Sequence, residues 1–435
     1  MRRRLPILYS ALLLTGVNLL LRLVSTVFGV YLSGRIGAAG MGLVQLVLSV
    51  SALAMTAAMA GVRTSAMYLT AEELGHKKPA HVKWVLSSCF TYSLSISAVI
   101  CISVYCLAPI LAGSWVGDPG TVGAIRLFAC FLPVTCLCGV MTGYFTAANR
   151  IGTLAIVEIA EQLLCMSVTM TALGFWAGTD PYKACCCVIL GSGIGSCLTL
   201  GTLIYLRHRE HSPQGPRIPV YRRLFSLAIP LGLADDLKAG INTAENLMVP
   251  KRLALYPGSM TPLAAFGTVC GMVFPVLMFP AAILYALAEL LIPELARCAA
   301  AGSTARIRHL VRKGLGFAFI YSCICCAVLF LCAKPLCLRL YHSADAGRYL
   351  QLYVPLIPML YCDAITDAMT KGLGQQKANV RYNILTSSLD VALLYVLLPR
   401  LGMQGYFISF LVTHLINFLL SLGRLMKITG QMVQA

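Results

Sequence analysis

Asp235, Lys238, Asn242 and Glu245 are separated by three, four and three residues inside an otherwise apolar stretch, GLADDLKAGINTAENLMVP at 232–250. On an α-helix this spacing puts the four side chains on one face, about 15 Å long at ~1.5 Å per residue. Such a face does not belong in hydrocarbon, where a charged side chain at a helix centre costs roughly 2.5–3.5 kcal/mol. Lys238 can reach Asp235 at i−3, so a local ion pair is expected. Asp236 and Glu245 have no obvious local partner and are the carboxylates expected to change protonation. Pro230 and Pro250 bracket the stretch, so its ends are expected to bend or unwind.

Other apolar runs repeat the pattern with different charges. Thr15, Asn18, Arg22 and Ser25 are again spaced three, four and three, which places one arginine near mid-depth with no acid in the same helix. Arg63 lies in GVRTSAMYL, closer to a membrane edge, where it can also snorkel to the interface. Glu158, Glu161 and Gln162 share one helical face, as do Asp363, Thr366, Asp367 and Thr370. Asn383, Ser387 and Asp390 form a fifth stripe, and His414, Asn417 and Ser421 a sixth. Amides and serines in such positions read as polar contacts between helices. Full charges need partners or water, so Arg22, Asp235, Asp236, Glu245 and Asp363 point to a hydrated cavity. Arginine and lysine there would coordinate an anion, and phosphate fits their donors best. The carboxylates Asp235, Asp236, Glu245, Asp363, Asp367, Glu158 and Glu161 could take up H+ or Na+ in a coupled cycle.

The elements that carry these residues follow from composition. The 435 residues are 58% hydrophobic and 11% charged, with a mean hydropathy of +0.80. That is too apolar for a soluble domain, and the chain reads as an all-α integral membrane protein. Windows of about 20 residues predict twelve spans, near 6–33, 40–69, 84–108, 121–147, 153–177, 183–206, 225–249, 264–292, 314–332, 349–370, 382–399 and 404–423. Continuous apolar runs of this length are not the alternating ten-residue strands of a β-barrel. A net charge of +18 would point to nucleic acid in a soluble chain. Here most lysines and arginines fall in alternate loops, including the five arginines of 207–223, so the excess reads as a topology signal with both termini cytoplasmic. The start, MRRRLPILYSALLLTG, is read as the first span and not as a cleaved signal.

The polar connection RHREHSPQGPRIPVYRR at 207–223 divides the chain into an N-lobe (1–206), a cytoplasmic linker (207–224) and a C-lobe (225–435), each lobe with six spans. Weak similarity between YFTAANRIGTLAIVEIAEQLL from 144 and MTKGLGQQKANVRYNILTSSLDV from 369 is consistent with a parallel repeat about an axis along the membrane normal. Of the 19 cysteines, CCC at 185–187 and the CxxC of Cys323 and Cys326 lie inside expected spans with no histidine or second CxxC at ligand spacing, and read as small apolar packing residues. His414 is read as a helix-contact residue and not a metal ligand. No catalytic set, metal site or cofactor is implied.

SGRIGAAGMGLVQL (33–46), AMYLTAEELG (66–75), AIPLGLADDLKAGINTAENLMVPKRL (228–253) and GMVFPVLMFPAAILYALAELLIPELARCAAAG (271–302) together resemble the stage V sporulation protein B-like oligosaccharide flippases. This group belongs to the multidrug/oligosaccharidyl-lipid/polysaccharide (MOP) exporter superfamily. The resemblance implies a V-shaped bundle that moves an undecaprenyl-diphosphate-linked oligosaccharide or peptidoglycan precursor from the inner to the outer leaflet of a bacterial cytoplasmic membrane. Arg22 matches a first-span arginine of that group. A second first-span arginine of the lipid II flippase branch would fall near Phe28 or Gly29 and is missing. Some relatives have fourteen spans; twelve are expected here, so a lipid-tail groove built on the extra pair is expected to be absent.

Three functions follow as expectations. The first is a flippase with Arg22, Arg63, Lys238 and Asn18 at the substrate diphosphate, acting as a monomer among membrane lipids and coupled to H+, Na+ or the membrane potential. The second is a multidrug or organic-cation antiporter of the same superfamily, in which carboxylates bind the substrate. The third, a membrane-embedded enzyme, has only Asp118, Asp180, Asp345 and His342 as candidates in its outer loops, so no enzymatic activity is expected.

Overall fold

The computed structural model describes residues 4–76, 79–178, 180–209, 220–258 and 260–434. Among these residues every regular element is helical. They are α1 (Arg4–Met59), α2 (Val62–Gly75), α3 (Pro79–Ile110), α4 (Val122–Ala147), α5 (Ile151–Ala172), α6 (Pro181–His208), α7 (Tyr221–Leu253) and α8 (Pro262–Gly267). They continue as α9 (Phe274–Met278), α10 (Ala281–Ala300), α11 (Thr304–Tyr341), α12 (Ala344–Tyr353), α13 (Ile357–Gly372), α14 (Gln376–Leu401) and α15 (Met403–Gln434). Among the described residues each expected span overlaps one or more helices. By length and hydropathy alone, 8 described helices qualify as membrane-crossing, or 9 with the bent α8–α10 pair. The rest of the difference lies in the first two spans, which α1 joins across a kink at Gly37 (φ 68°, ψ −177°), and in α7 and α12–α13, which carry polar groups or breaks.

The chain forms two compact units, one of Met1–Gly42 with Met248–Ala435 and the other of Leu43–Leu247. Their boundaries fall inside α1 and α7. Dividing the chain by order puts the boundary in the 207–224 connection, most of which lies outside the described residues. By compactness, the first span groups with helices of the second half of the chain.

In the unit of Leu43–Leu247, α1 ends where Ala60 and Gly61 both take positive φ, 41° and 70°. The turn frees the carbonyl of Ala60, and the Tyr92 hydroxyl donates to it at 3.2 Å. α7 packs tightly on this break: a Cβ on Gly232 would stand 2.8 Å from the Ala60 carbonyl carbon, and one on Gly61 2.5 Å from the Ala228 oxygen. Only glycine permits that approach. Beneath it lie Leu69, Val85, Cys89, Phe145, Leu203 and Leu224, all buried. Held against this floor, α7 is continuously helical from Tyr221 to Leu253, so it does not unwind at Pro230 or Pro250.

In the other unit, the eighth span bends by 60° between α9 and α10. Pro280 cannot donate to the preceding turn, so carbonyls are released in a region without water. Tyr361, fully buried, donates its hydroxyl to the Leu277 oxygen at 2.7 Å, and Tyr321 donates to the Pro280 oxygen at 2.9 Å. The first span is fixed in the same unit by a close crossing, since a Cβ on Gly267 would lie 2.0 Å from the Ala38 oxygen and 2.4 Å from the Gly42 nitrogen. Tyr353, Phe274, Tyr406 and Phe410 form an aromatic layer with ring centroids 5.4–6.4 Å apart.

Tyr361→Phe keeps the ring and leaves the Leu277 carbonyl buried without a donor. It is expected to cost about 1–3 kcal/mol, read as a lower midpoint of thermal unfolding in detergent.

Candidate functional site

Arg22 projects half-buried from α1, and its guanidinium carbon sits 5.2 Å from the centroid of the Tyr285 ring on α10. A cation over an aromatic face is partly compensated for lost water while its N–H donors stay available. Among the described residues no carboxylate forms an ion pair with Arg22. Asn18 lies one turn earlier, and its side chain is outside the described residues.

Tyr285 also lines a polar cavity of about 360 Å³ with Glu289, Asp363, Asp367, Lys371, Asn383 and His414. Helices α10, α13, α14 and α15 each contribute. Asp363 is buried, and the Asn417 amide donates to both of its oxygens, at 3.0 and 3.1 Å. His414 Nδ1 lies 3.5 Å from Asp363 Oδ2, so His414 and Asn417 are the helix contacts the sequence pattern implied. The amide oxygen of Asn417 is buried without a hydrogen-bond partner. Asp367, one helical turn from Lys371, likewise has a buried oxygen with no partner.

A second carboxylate on the same unit is structural. Asp390 accepts from the Ser409 hydroxyl and from Thr413 at 3.3 Å, all three side chains being buried. In the unit of Leu43–Leu247, Glu161 plays a similar part, accepting from Thr199 at 2.8 Å and Ser196 at 3.3 Å. Arg63 is exposed at the start of α2, within Coulombic reach of Glu158. These two units therefore each bring predicted residues together: Glu158 with Arg63 in one, and Asp363 with Asp367 in the other.

The α7 stripe is arranged differently from the sequence expectation. Asp235, Lys238 and Asn242 are exposed, and no ion pair joins Asp235 to Lys238. Accessible side chains gain little from pairing, so the two remain apart. Their accessibility still excludes lipid as their surroundings, because full charges need water. Asp236 is half-buried, with one oxygen buried and unpartnered. Glu245 is half-buried and has a polar or electrostatic contact, so it is not the free carboxylate its sequence neighbours imply. The flank of this stripe is tied down by Thr243, which donates to the Ser49 carbonyl at 3.0 Å, and by Asn246, which donates to the Ser49 hydroxyl at 3.0 Å.

Tyr285, Lys371, Ser196, Thr199, Ser409 and Thr413 were not singled out from sequence. Spacing could have flagged Ser196 with Thr199 and Ser409 with Thr413, each pair on one helical face. Nothing local marks Tyr285 as the platform for Arg22.

Asp363→Asn keeps an acceptor for the Asn417 amide nitrogen, whereas Asp363→Leu leaves that nitrogen buried without one. The first is expected to unfold near the wild-type temperature in detergent, and the second to lose about 1–3 kcal/mol.

Residues 7–235 match the polysaccharide biosynthesis protein family, and residues 252–396 match the MatE family. The chain is 21% identical over 414 residues to stage V sporulation protein B of Bacillus subtilis (strain 168), covering 92% of this chain and 79% of that protein. Its fold is similar to an inward-facing multidrug resistance MATE transporter of the MOP superfamily, with a TM-score of 0.77, 12% identity and coverage of 97% and 99% of the two chains. It is also similar to the lipid II flippase MurJ in an inward closed conformation, with a TM-score of 0.73, 11% identity and coverage of 95% and 87%. The two solved structures are of a transporter and a flippase. Sequence makes this chain a member of the polysaccharide biosynthesis protein family, and its long apolar helices mark a multi-pass membrane protein with the fold of the MOP-superfamily transporters.

Proposed function

We propose that this protein is an alternating-access flippase for an undecaprenyl-diphosphate-linked oligosaccharide or peptidoglycan precursor, carried from the inner to the outer leaflet of the bacterial cytoplasmic membrane. The observation that carries this reading is Arg22: a half-buried cation in a membrane span, supported by a tyrosine face and paired with no described carboxylate. Such a group is held ready for an anion. Arg63, Lys238 and Asn18 complete the diphosphate-binding set in this reading. Likeness to stage V sporulation protein B and membership of a polysaccharide biosynthesis family support a lipid-linked sugar as cargo.

Coupling falls to the carboxylates. Asp363 and Asp367 are the best placed, since both line the polar cavity and Asp367 retains a buried oxygen without a partner. Asp236 offers the same chemistry on α7, with Asp235, Glu245, Glu158 and Glu161 as the remaining members of the set. H+ or Na+ is the coupling ion, and the membrane potential contributes ~2.3 kcal/mol per charge per 100 mV. Two six-span lobes joined by the 207–224 linker, both termini in the cytoplasm and a monomeric protein belong to the same proposal.

The accessible carboxylate-rich face of α7 and the match of 252–396 to the MatE family favour a second reading, an organic-cation antiporter. Loss of dye efflux in Asp235→Asn, with cell-wall precursor turnover intact, would support it.

Native mass spectrometry of the purified protein is expected to find a bound undecaprenyl diphosphate species. In proteoliposomes, Arg22→Ala is expected to abolish translocation of a labelled lipid diphosphate while the protein remains folded; unchanged translocation would remove Arg22 from the site. Asp363→Asn, which mimics the protonated state, is expected to leave residual translocation that no longer responds to an imposed pH gradient.

A further inference from the structure

Helix α10 has two unlike faces. Tyr285, Ala288, Glu289 and Ile292 look into the polar cavity. Ala282, Ala286, Leu287, Leu290 and Leu291 line an apolar groove of about 520 Å³, closed on its other sides by Leu19 of α1 and by Leu310, Gly314 and Phe317 of α11. The groove is almost free of polar surface, with one exception, the exposed Lys313. Gly314 shapes the wall, since a Cβ there would stand 2.5 Å from the Met369 side chain. The bend before α10 sets this arrangement, and Arg22 stands at the junction of the two faces, one helical turn from Leu19 and over the ring of Tyr285.

We propose that this groove is a binding site for the single hydrocarbon chain of the transported lipid phosphate, with Lys313 attracting the phosphate on entry. The inference rests on the flippase reading of the polar cavity and adds a place for the tail. Its volume lies in the range of one bound small molecule. A tail already dissolved in lipid gains no hydrophobic energy there, so the groove acts through close packing and alignment. A chain lying along the apolar face of α10 leaves its charged head one helix width from the cavity that Arg22 overlooks. Charge selects the occupant: a neutral acylglycerol would leave Lys313 unused, and an anionic carrier would not.

The test uses wild-type protein in proteoliposomes and a polyprenyl diphosphate bearing a diazirine on its terminal isoprene unit. Photolysis followed by peptide mapping is expected to label Leu287, Leu290 or Phe317, and unlabelled polyprenyl diphosphate should suppress the labelling where a tenfold excess of phosphatidylglycerol does not. Labelling spread evenly over the lipid-facing helices, or suppressed equally by phosphatidylglycerol, overturns the proposal. Ala286→Trp fills the groove and is expected to lower translocation of the long-chain lipid at least tenfold, while binding of a two-isoprene diphosphate stays within twofold of wild type. If wild-type protein translocates the long-chain lipid and Ala286→Trp does so at the same rate, the groove assignment falls and the flippase reading stands. If wild-type protein binds neither diphosphate, the flippase reading falls, and the groove assignment falls with it.

Discussion

Hydrocarbon supplies no hydrogen bonds, so every carbonyl released by a break in a spanning helix has to find a donor from another part of the protein. Two breaks organise this molecule, and tyrosine hydroxyls resolve both. Tyr92 reaches Ala60 across 32 residues of sequence, Tyr321 reaches Pro280 across 41, and Tyr361 reaches Leu277 across 84. Each bond joins separate spans at the point where the backbone changes direction. The bend at Pro280 in turn sets the rotation of α10, which decides that Tyr285 and Glu289 line the polar cavity while Leu287 and Leu290 do not.

The same constraint sorts the carboxylates by what they can do. Glu161 and Asp390 are each held by two hydroxyls. Asp235 is exposed. Asp363 accepts the Asn417 amide nitrogen on both oxygens, while the oxygen of that amide is buried without a partner. Asp367 and Asp236 each keep one buried oxygen without a partner as well. The basic groups divide similarly. Arg252 spends its donors on the Tyr395 carbonyl at 2.9 and 3.2 Å, while Arg22 offers its charge to an aromatic face and keeps its donors for a ligand.

Much of the fold was legible in the sequence. Twelve apolar runs became helices, and polar residues spaced three and four apart came out on common faces, because hydropathy and the 3.6-residue period are properties of consecutive residues. The pairing of His414 and Asn417 with a neighbouring span followed from the same logic. Local reasoning failed where it treated proximity along α7 as contact. Asp235 and Lys238 lie three residues apart, yet both side chains remain accessible and unpaired, and the helix does not unwind at Pro230 or Pro250.

By itself, then, the sequence determined the all-helical membrane class, the course of the apolar runs, and which of them carry charge. Tertiary structure alone decided which charges are satisfied. The first span groups with residues 248–435, giving Arg22 its support on Tyr285, more than 260 residues away in the chain. Ser196 and Thr199 donate to Glu161, and the Asn417 amide nitrogen donates to Asp363. A helical period fixes which residues share a face. It carries no information about which other face arrives opposite, and in a medium without water that opposite face settles the state of every buried charge.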